Sequence, residues 1–205
     1  MLSPVDRLSN PGHPGFVNRT QDGWAGGRAA AAIRSARPAD LTALSDFFAG
    51  LSTRTRYLRF FAPVTPGPPL LRFLSGAADD DVDAVVAVRG GLIIGHAMAA
   101  DQIGARGSMS TDIGVVVADA WQGRGVGSAL VRALITGAQA RGVTSVTMDV
   151  LPGNRQVLDM IAAHWPAARV DRSGDSVTIC IRVLQHQQQQ PHAQSAVTAP
   201  SARSA

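Results

Sequence analysis

Apolar and polar positions follow two different periods along the chain, and the most regular stretch runs from residue 111 to residue 142. Segment 112–117 is β-branched and apolar after its first residue, which is typical of a strand. Further along, apolar residues recur close to every 3.6 positions, which predicts an amphipathic helix. The residues predicted to be buried on that helix are Val126, Leu130, Ala133, Leu134 and Ala138.

A glycine-rich turn, QGRGVG at 122–127, joins this strand to this helix. Glycines at alternate positions (Gly123, Gly125 and Gly127) remove side chains from a loop that opens a helix. Several backbone N–H groups can then converge on one anion, and the helix dipole adds to their attraction. The turn therefore predicts a phosphate or pyrophosphate site.

The same patterns predict further elements on both sides of this stretch. They are a strand at 29–35, a helix opening at Pro38 and Asp40, a short helix TRTRYLRFF capped by Ser52, a third helical turn between Pro66 and Gly76, a hairpin of strands 84–88 and 92–99, a strand at 143–150, a helix at 154–163 and a last hairpin of strands 168–171 and 176–183.

Composition divides the 205 residues into three parts. Residues 1–27 are rich in proline and glycine, which predicts a disordered or loosely attached arm. Residues 28–184 suit a single domain. Residues 185–205 are rich in glutamine, alanine and serine without hydrophobic periodicity, and we expect a disordered tail.

Charge and cysteine content narrow the classes of function. The chain has no Lys and no Glu, so all 19 basic residues are Arg and all 15 acidic residues are Asp. The pI near 10.8 follows from a small excess of arginine and supports nucleic-acid binding only weakly.

Cys180 is the only cysteine, which excludes an internal disulfide, and a buried position on a late strand is favoured over a nucleophilic role. No apolar run approaches the roughly 20 residues of a membrane helix, and the N-terminus lacks a signal-peptide core. We expect a cytoplasmic protein with no nucleic-acid or membrane partner.

Three groups of polar residues have a structural and a functional interpretation. Arg54, Arg56 and Arg59 predict a solvated basic helix face, with steering of an acidic substrate as the alternative. His96 inside a strand is expected to be structural rather than catalytic. The acidic run Asp79–Asp83 lacks the glycine and spaced ligands of a calcium loop, so we expect a solvated loop and no metal site.

Two common phosphate loops fit the glycine turn poorly. A P-loop requires a lysine, and the chain has none. The dinucleotide fingerprint requires Gly or Ala at position 128, where Ser128 stands. Asp149, near the place of a ribose-binding acid, keeps this second option open as an alternative.

The arrangement of Gln122, Gly125 and Gly127 after a β-branched strand resembles the acyl-CoA-binding motif of the GNAT N-acetyltransferase superfamily. The order of predicted elements over residues 28–184 agrees. Three segments, RPADLTALSDFFAGLSTRTRYLRFF, VVVADAWQGRGVG and VLPGNR, are more narrowly similar to the GNAT domain of bacterial protein lysine acetyltransferases. The resemblance implies one α/β (α+β) domain with a mixed, mostly antiparallel sheet of about seven strands and about four helices. It also implies that the sheet is splayed between the central strand 112–117 and the strand 143–150.

The resemblance further implies acetyl-CoA as co-substrate, with no metal. Pantetheine would lie in the splay beside the backbone of the central strand, and the turn would hold the pyrophosphate. Arg124 would either add a charge to the phosphates or face solvent. The implied cofactor-binding residues are Val115, Val116, Val117, Gln122, Gly123, Arg124, Gly125, Val126, Gly127, Ser128 and Asn154.

Transfer of an acetyl group to an amine requires a base, because only the neutral amine attacks a thioester. Asp112 takes the place of a glutamate found in lysine-directed relatives and is the favoured catalytic residue, acting through a water. Asp149 matches another acidic position of these relatives and is the competing candidate. A structural aspartate at a strand end is the alternative for both.

Two departures from the family pattern concern the late part of the domain. Ile161 stands where many relatives have the tyrosine that protonates the leaving thiolate, and the only tyrosine is Tyr57. His164-Trp165-Pro166 replaces the usual Gly-Phe. We expect an N-acetyltransferase acting on a protein lysine. A small-molecule amine acetyltransferase and a weakly catalytic CoA-binding sensor are the alternatives, and the acyl length and oligomeric state stay open.

Overall fold

The computed structural model describes residues 31–76, 82–103 and 109–183. These ranges contain seven strands, five α-helices and two short 3₁₀ turns at Pro38–Asp40 and Asp119–Trp121. The strands are β1 (Ala32–Ser35), β2 (Val82–Arg89), β3 (Leu92–Ile103), β4 (Met109–Val117), β5 (Ser145–Val150), β6 (Arg169–Ser173) and β7 (Ser176–Arg182). The helices are α1 (Leu41–Ala49), α2 (Thr53–Phe60), α3 (Pro68–Leu74), α4 (Val126–Ala140) and α5 (Arg155–His164).

The strands form one mixed sheet with the order β1-β2-β3-β4-β5-β7-β6. Within the described residues, β4 and β5 are parallel and the other neighbours are antiparallel. This confirms the single α/β domain with about seven strands, and the helix count is slightly above the predicted number. The predicted first strand is shorter than expected and begins at Ala32.

The parallel pair opens into a wedge. β4 and β5 pair only at Ser110 with Ser145, Thr111 with Val146 and Asp112 with Thr147. Both strands continue beyond this point, β4 to Val117 and β5 to Val150. The predicted splay is therefore confirmed, and it begins directly after Asp112.

Two apolar cores cover the two faces of the sheet. Successive residues of β4 point to opposite faces, so Ile113 joins the core under α4 and α5 while Val116 joins the core under α1 and α3. The five residues predicted to be buried on α4 are all buried. They are Val126, Leu130, Ala133, Leu134 and Ala138.

His96 lies in the second of these cores, on β3. Its ring is fully buried, its Nε2 is 2.6 Å from the Leu74 carbonyl oxygen, and it contacts the Phe48 ring edge-on at 5.4 Å. Burial lowers the pKa of His96 to about 4; the contact with the Leu74 carbonyl opposes this shift, and the nearby Arg59 charge adds a smaller lowering. A neutral, packed ring at this position agrees with the expected structural role.

The predicted N-terminal arm, the C-terminal tail and Asp79–Asp81 lie outside the described residues. Asp83 does lie within them, and together with Asp101 it pairs with Arg141 at the end of α4. In the described part of the chain, no helix combines the length and apolarity required to cross a bilayer. The same part contains no group of three or more His, Cys or acidic side chains arranged to hold a metal ion.

Candidate active site

The turn between β4 and α4 leaves the start of a long helix open. Gly123 and Gly125 have φ angles of 69° and 80°, a region in which side chains other than glycine are strained. Gly125 precedes the first residue of α4, and no side chain in the described part of the protein caps the helix there. The first helical bond runs from the Ala129 N–H to the Gly125 carbonyl at 3.1 Å. The N–H groups of residues 126–128 consequently have no acceptor within the helix and are available to an anion.

Polar side chains from α2 fix the shape of this turn. The Gln122 amide donates to the Val117 carbonyl at 3.0 Å and to the Thr55 hydroxyl at 3.2 Å. The Asp119 carboxylate accepts from the Ser52 hydroxyl at 2.6 Å and from the Thr55 hydroxyl at 2.7 Å. Burial by itself raises the pKa of Asp119, but these hydrogen bonds outweigh it and hold the pKa below its ordinary value. Gln122 therefore positions the turn from inside the protein.

Three other predicted residues of the turn are held in different ways. The Ser128 hydroxyl is buried and donates to the Gly125 carbonyl at 2.9 Å. Val126 is buried in the core. The Arg124 guanidinium lies 5.1 Å from the centroid of the Trp121 ring, which places its charge on an aromatic face near the turn.

A cavity of about 390 Å³, which we name the turn cavity, opens between β4, the glycine turn and α5. Nine of the predicted cofactor-binding residues line it: Val115, Val116, Val117, Gln122, Gly123, Gly125, Gly127, Ser128 and Asn154. Gly127 sits where a Cβ would meet Met160 Sδ at 3.5 Å, so its missing side chain widens the cavity. Arg124 and Val126 are not among the residues that line it.

The backbone of β4 faces the wedge at alternate residues. The Ala118 N–H donates to Ile94 on β3 at 2.9 Å, so the backbone groups of Val117 and Val115 point the other way, toward the wedge. The Val117 carbonyl is already engaged by Gln122. Val115 is accordingly the residue best placed to pair with an extended ligand.

A second cavity of about 380 Å³, which we name the carboxylate cavity, adjoins the first. Both cavities are lined by Leu58, Arg59, Val115, Asn154 and Val157. The carboxylate cavity also contains Asp112, Asp149 and the aromatic residues Phe60, Phe61 and Phe73. The two predicted catalytic aspartates thus lie in one cavity that is continuous with the turn cavity.

Asp112 and Asp149 occupy the same face of neighbouring strands. Asp112 pairs with Thr147, and Asp149 lies two residues further along β5. Asp112 accepts hydrogen bonds from Thr147 and Gln102, whereas Asp149 accepts from the Thr178 hydroxyl at 2.6 Å. Partial burial raises the pKa of Asp112, and the charge of Asp149 raises it further. This makes Asp112 a stronger proton acceptor than an ordinary surface aspartate.

The two late departures from the family pattern have structural consequences. Ile161 is buried in the core, so a side chain at this position does not reach either cavity. Tyr57 is 47% exposed on α2. His164 lines the turn cavity, with its Nδ1 at 2.9 Å from the Met160 carbonyl oxygen. Asn154 caps α5 by accepting from the Val157 N–H at 3.4 Å, and it borders both cavities.

The prediction of a solvated arginine face on α2 is wrong for two of its three residues. Arg54 is exposed, but Arg56 donates to the Leu51 carbonyl at 2.6 Å. Arg59 turns inward and lies against Gly114 of β4, where a Cβ would overlap the guanidinium. The physical reason is the missing side chain at residue 114, which leaves room for the arginine to pack on the strand. A glycine inside a β-branched strand is the sequence signal that could have indicated this close approach.

Comparison with known proteins agrees with this geometry. Residues 51–164, more than half of the chain, match the family model described as Acetyltransferase (GNAT) family. The chain therefore belongs to the GNAT family of acetyltransferases.

Solved structures with a similar fold include three acetyltransferases. The GNAT domain of PAT from S. lividans is 25% identical with a TM-score of 0.67, and the match covers 74% of this chain and 90% of that one. Phosphinothricin acetyltransferase from Sinorhizobium meliloti, solved with acetyl-CoA, is 15% identical with a TM-score of 0.62, covering 80% and 94%. The ribosomal-protein-alanine N-acetyltransferase from Brucella melitensis is 20% identical with a TM-score of 0.60, covering 74% and 99%.

Proposed function

We propose that the protein transfers an acetyl group from acetyl-CoA to a primary amine, most readily a lysine side chain of another protein. One observation carries the proposal: the uncapped N-terminus of α4 opens into a cavity that runs along the splayed edge of β4. Such a helix end suits a pyrophosphate, and the splayed strand suits an extended pantetheine that adds to the sheet edge.

The cofactor-binding residues divide into backbone and side-chain contributors. In this proposal the N–H groups of Gly123–Ser128 hold the pyrophosphate, while the backbone of Val115 and the N–H of Val117 pair with pantetheine. Arg124, close to the turn on Trp121, adds a positive charge near the phosphates. Gln122, Ser128 and Asn154 act by shaping the turn and the start of α5.

The chemistry follows from the carboxylate cavity. The acceptor amine enters as an ammonium ion, which Asp112 and Asp149 attract, and Asp112 removes a proton directly or through a water. The neutral nitrogen then attacks the thioester carbon, the C–N bond forms, and the C–S bond breaks as CoA leaves as a thiolate. The nitrogen gives up its extra proton to the thiolate or to solvent, which leaves a neutral amide, and Asp112 returns its proton to solvent. Backbone N–H groups of β4 facing the wedge stabilise the oxyanion during this step.

The acceptor proposal rests on the shape and charge of the same cavity. Two carboxylates at one end and the phenyl rings of Phe60, Phe61 and Phe73 suit an ammonium carried on an apolar stem, as in lysine. A small amine would satisfy the carboxylates equally well, and one similar structure is an enzyme for phosphinothricin. A small-molecule acceptor is therefore the second candidate.

Free-thiol release after mixing the protein, acetyl-CoA and an acceptor tests the proposal. A panel of lysine peptides and a polyamine, analysed by mass spectrometry, separates the two acceptor classes. The chain has no lysine, so every acetyl-lysine detected comes from the acceptor. Acetyl-CoA binding without thiol release on any acceptor would favour a CoA-binding sensor and contradict the enzymatic proposal.

A further inference from the structure

Arg59 is a charged side chain at the junction of the two cavities, and none of the described residues provides a counter-ion for it. Its Nε atom is buried and has no hydrogen-bond partner among these residues. No carboxylate among the described residues lies in ion-pair range of its guanidinium, which contacts the Phe60 ring at 5.1 Å. Burial lowers the pKa of Arg59 to about 10, so the side chain is still positively charged at neutral pH.

A buried charge of this kind is costly unless a ligand supplies the opposite charge. Desolvation of an unpaired cation is one of the larger unfavourable contributions that a folded protein can contain. Two other partly buried arginines have carboxylate partners: Arg34 binds Asp40 with two hydrogen bonds, and Arg141 binds Asp83 and Asp101. Arg59 lacks such a partner within the described protein and faces the cavities instead.

The position of Arg59 identifies which part of a ligand it meets. Its guanidinium lies over Gly114, two residues beyond Asp112, where β4 and β5 stop pairing. On the proposed function, this is where the acyl end of the donor meets the acceptor amine, whereas the phosphates lie at the glycine turn. The acceptor ammonium is attracted by Asp112 and Asp149 and repelled by Arg59, so the acyl group is the part of the complex that can bring an anion to it.

We propose that Arg59 is a carboxylate-binding subsite, and that the enzyme prefers acyl-CoA donors of the dicarboxylic class, such as succinyl-CoA, to neutral donors of the same length. This inference rests on the proposed function. The planar guanidinium can bind a carboxylate through two parallel hydrogen bonds, which a lysine ammonium cannot do. The transfer itself is unchanged: the amine forms the new C–N bond, the C–S bond breaks, CoA leaves as a thiolate, and the extra N–H proton passes to the thiolate or to solvent. The terminal carboxylate stays on the product amide.

Succinyl-CoA and butyryl-CoA provide a matched pair, since both acyl chains have four carbons and only the first ends in a carboxylate. The expected result for the wild-type protein is a kcat/KM for succinyl-CoA roughly 10- to 100-fold above that for butyryl-CoA, the range of one charge-assisted contact. Arg59→Met should remove or invert this preference while free CoA binds as before. Arg59→Lys should recover only part of it, and Arg54→Met, at the exposed arginine of the same helix, should leave it unchanged.

Thermal unfolding of the ligand-free protein separates this role from a structural one. Removal of an uncompensated buried charge should leave Arg59→Met at least as stable as the wild-type protein. Equal rates with succinyl-CoA and butyryl-CoA in the wild-type protein would overturn the inference while the proposed function stands. A loss in Arg59→Met confined to acceptors that carry a carboxylate would overturn it as well, by assigning Arg59 to the acceptor. Failure of every CoA thioester to bind would instead refute the proposed function.

Discussion

The two cavities of the candidate active site are built by different means. The turn cavity has its candidate anion-binding groups in consecutive residues, as backbone N–H groups at the start of α4. The carboxylate cavity collects residues from α2, α3, β3, β4, β5 and the start of α5. The turn cavity, where we propose that the cofactor binds, therefore depends on backbone conformation. The carboxylate cavity, where we propose that the reaction occurs, depends on the packing of charged side chains that are far apart in the chain. Substitutions in the two cavities should therefore have separable effects, on cofactor binding and on turnover.

Asp112→Asn is the change with the largest expected effect, and it should affect turnover alone. Loss of the proposed general base should lower rates by roughly 10²- to 10⁴-fold, whereas the turn proposed to bind the cofactor is untouched. The raised pKa of Asp112 also predicts that wild-type activity falls as the pH drops through that pKa, and this limb should vanish in the variant. Steady-state rates between pH 4 and pH 9, together with acetyl-CoA titrations, measure both effects.

Two further aspartate variants serve as controls. Asp149→Asn should reduce turnover less than Asp112→Asn, because Asp149 acts on the base mainly through its charge. Asp175→Asn, in the exposed turn between β6 and β7, should have no effect. A larger loss of turnover in Asp149→Asn than in Asp112→Asn would instead assign the role of general base to Asp149.

Gly125→Asp should produce the converse effect and remove cofactor binding. The substitution strains a residue with a φ of 80° and places a carboxylate at the open end of α4. We expect acetyl-CoA to bind at least about 100-fold more weakly, from a combined loss of about 3 kcal/mol. Gly90→Asp is the matched control, because Gly90 also has a positive φ of 56° but lies in the hairpin turn between β2 and β3. Similar binding by wild type and Gly125→Asp would show that the pyrophosphate lies elsewhere.

His96 gives a prediction about stability rather than activity. Its pKa is 6.5 ordinarily and about 4 in the folded protein, so the unfolded chain binds a proton that the folded chain does not between these values. The free energy of unfolding should therefore decrease as the pH falls from 7 to 4, by about 3 kcal/mol from this residue. Urea unfolding at several pH values measures the dependence. His96→Gln should show a smaller loss over the same range, and an unchanged pH slope would contradict the assignment.

Thr55→Val should have the smallest effect, and it tests how α2 supports the turn. The hydroxyl of Thr55 donates to Asp119 and accepts from Gln122, so its removal should lower the free energy of unfolding by about 1 kcal/mol. Acetyl-CoA binding should weaken only a few-fold. Thr136→Val, which removes an exposed hydroxyl bonded within α4, is the control and should change stability by less than about 0.5 kcal/mol. Equal losses in the two variants would mean that the contact with α2 contributes nothing specific.

The features that the sequence predicted well are local ones. Periodicity identified β4 and α4, and alternate glycines identified the open helix start, because these depend on residues adjacent in the chain. The splay after Asp112 came from the family resemblance, since no single strand pattern encodes where two strands stop pairing.

The features that were not predicted from the sequence depend on residues that are far apart in the chain. Thr55 and Gln122 are separated by 67 positions, and their contact has no signature in either segment. The inward turn of Arg59 follows from packing of α2 on Gly114, which overrides the polar character of its own helix. The sequence of helix α2, considered by itself, is rich in arginine and therefore predicts a solvent-exposed helix.

Calorimetric titration of the purified protein with acetyl-CoA tests the central claim most directly. We expect saturable one-site binding in the micromolar range, with desulfo-CoA or free CoA competing for the site and NAD showing no heat of binding. Absence of acetyl-CoA binding at millimolar concentration, with binding of NAD in the same experiment, would contradict the assignment of the glycine turn to a CoA pyrophosphate.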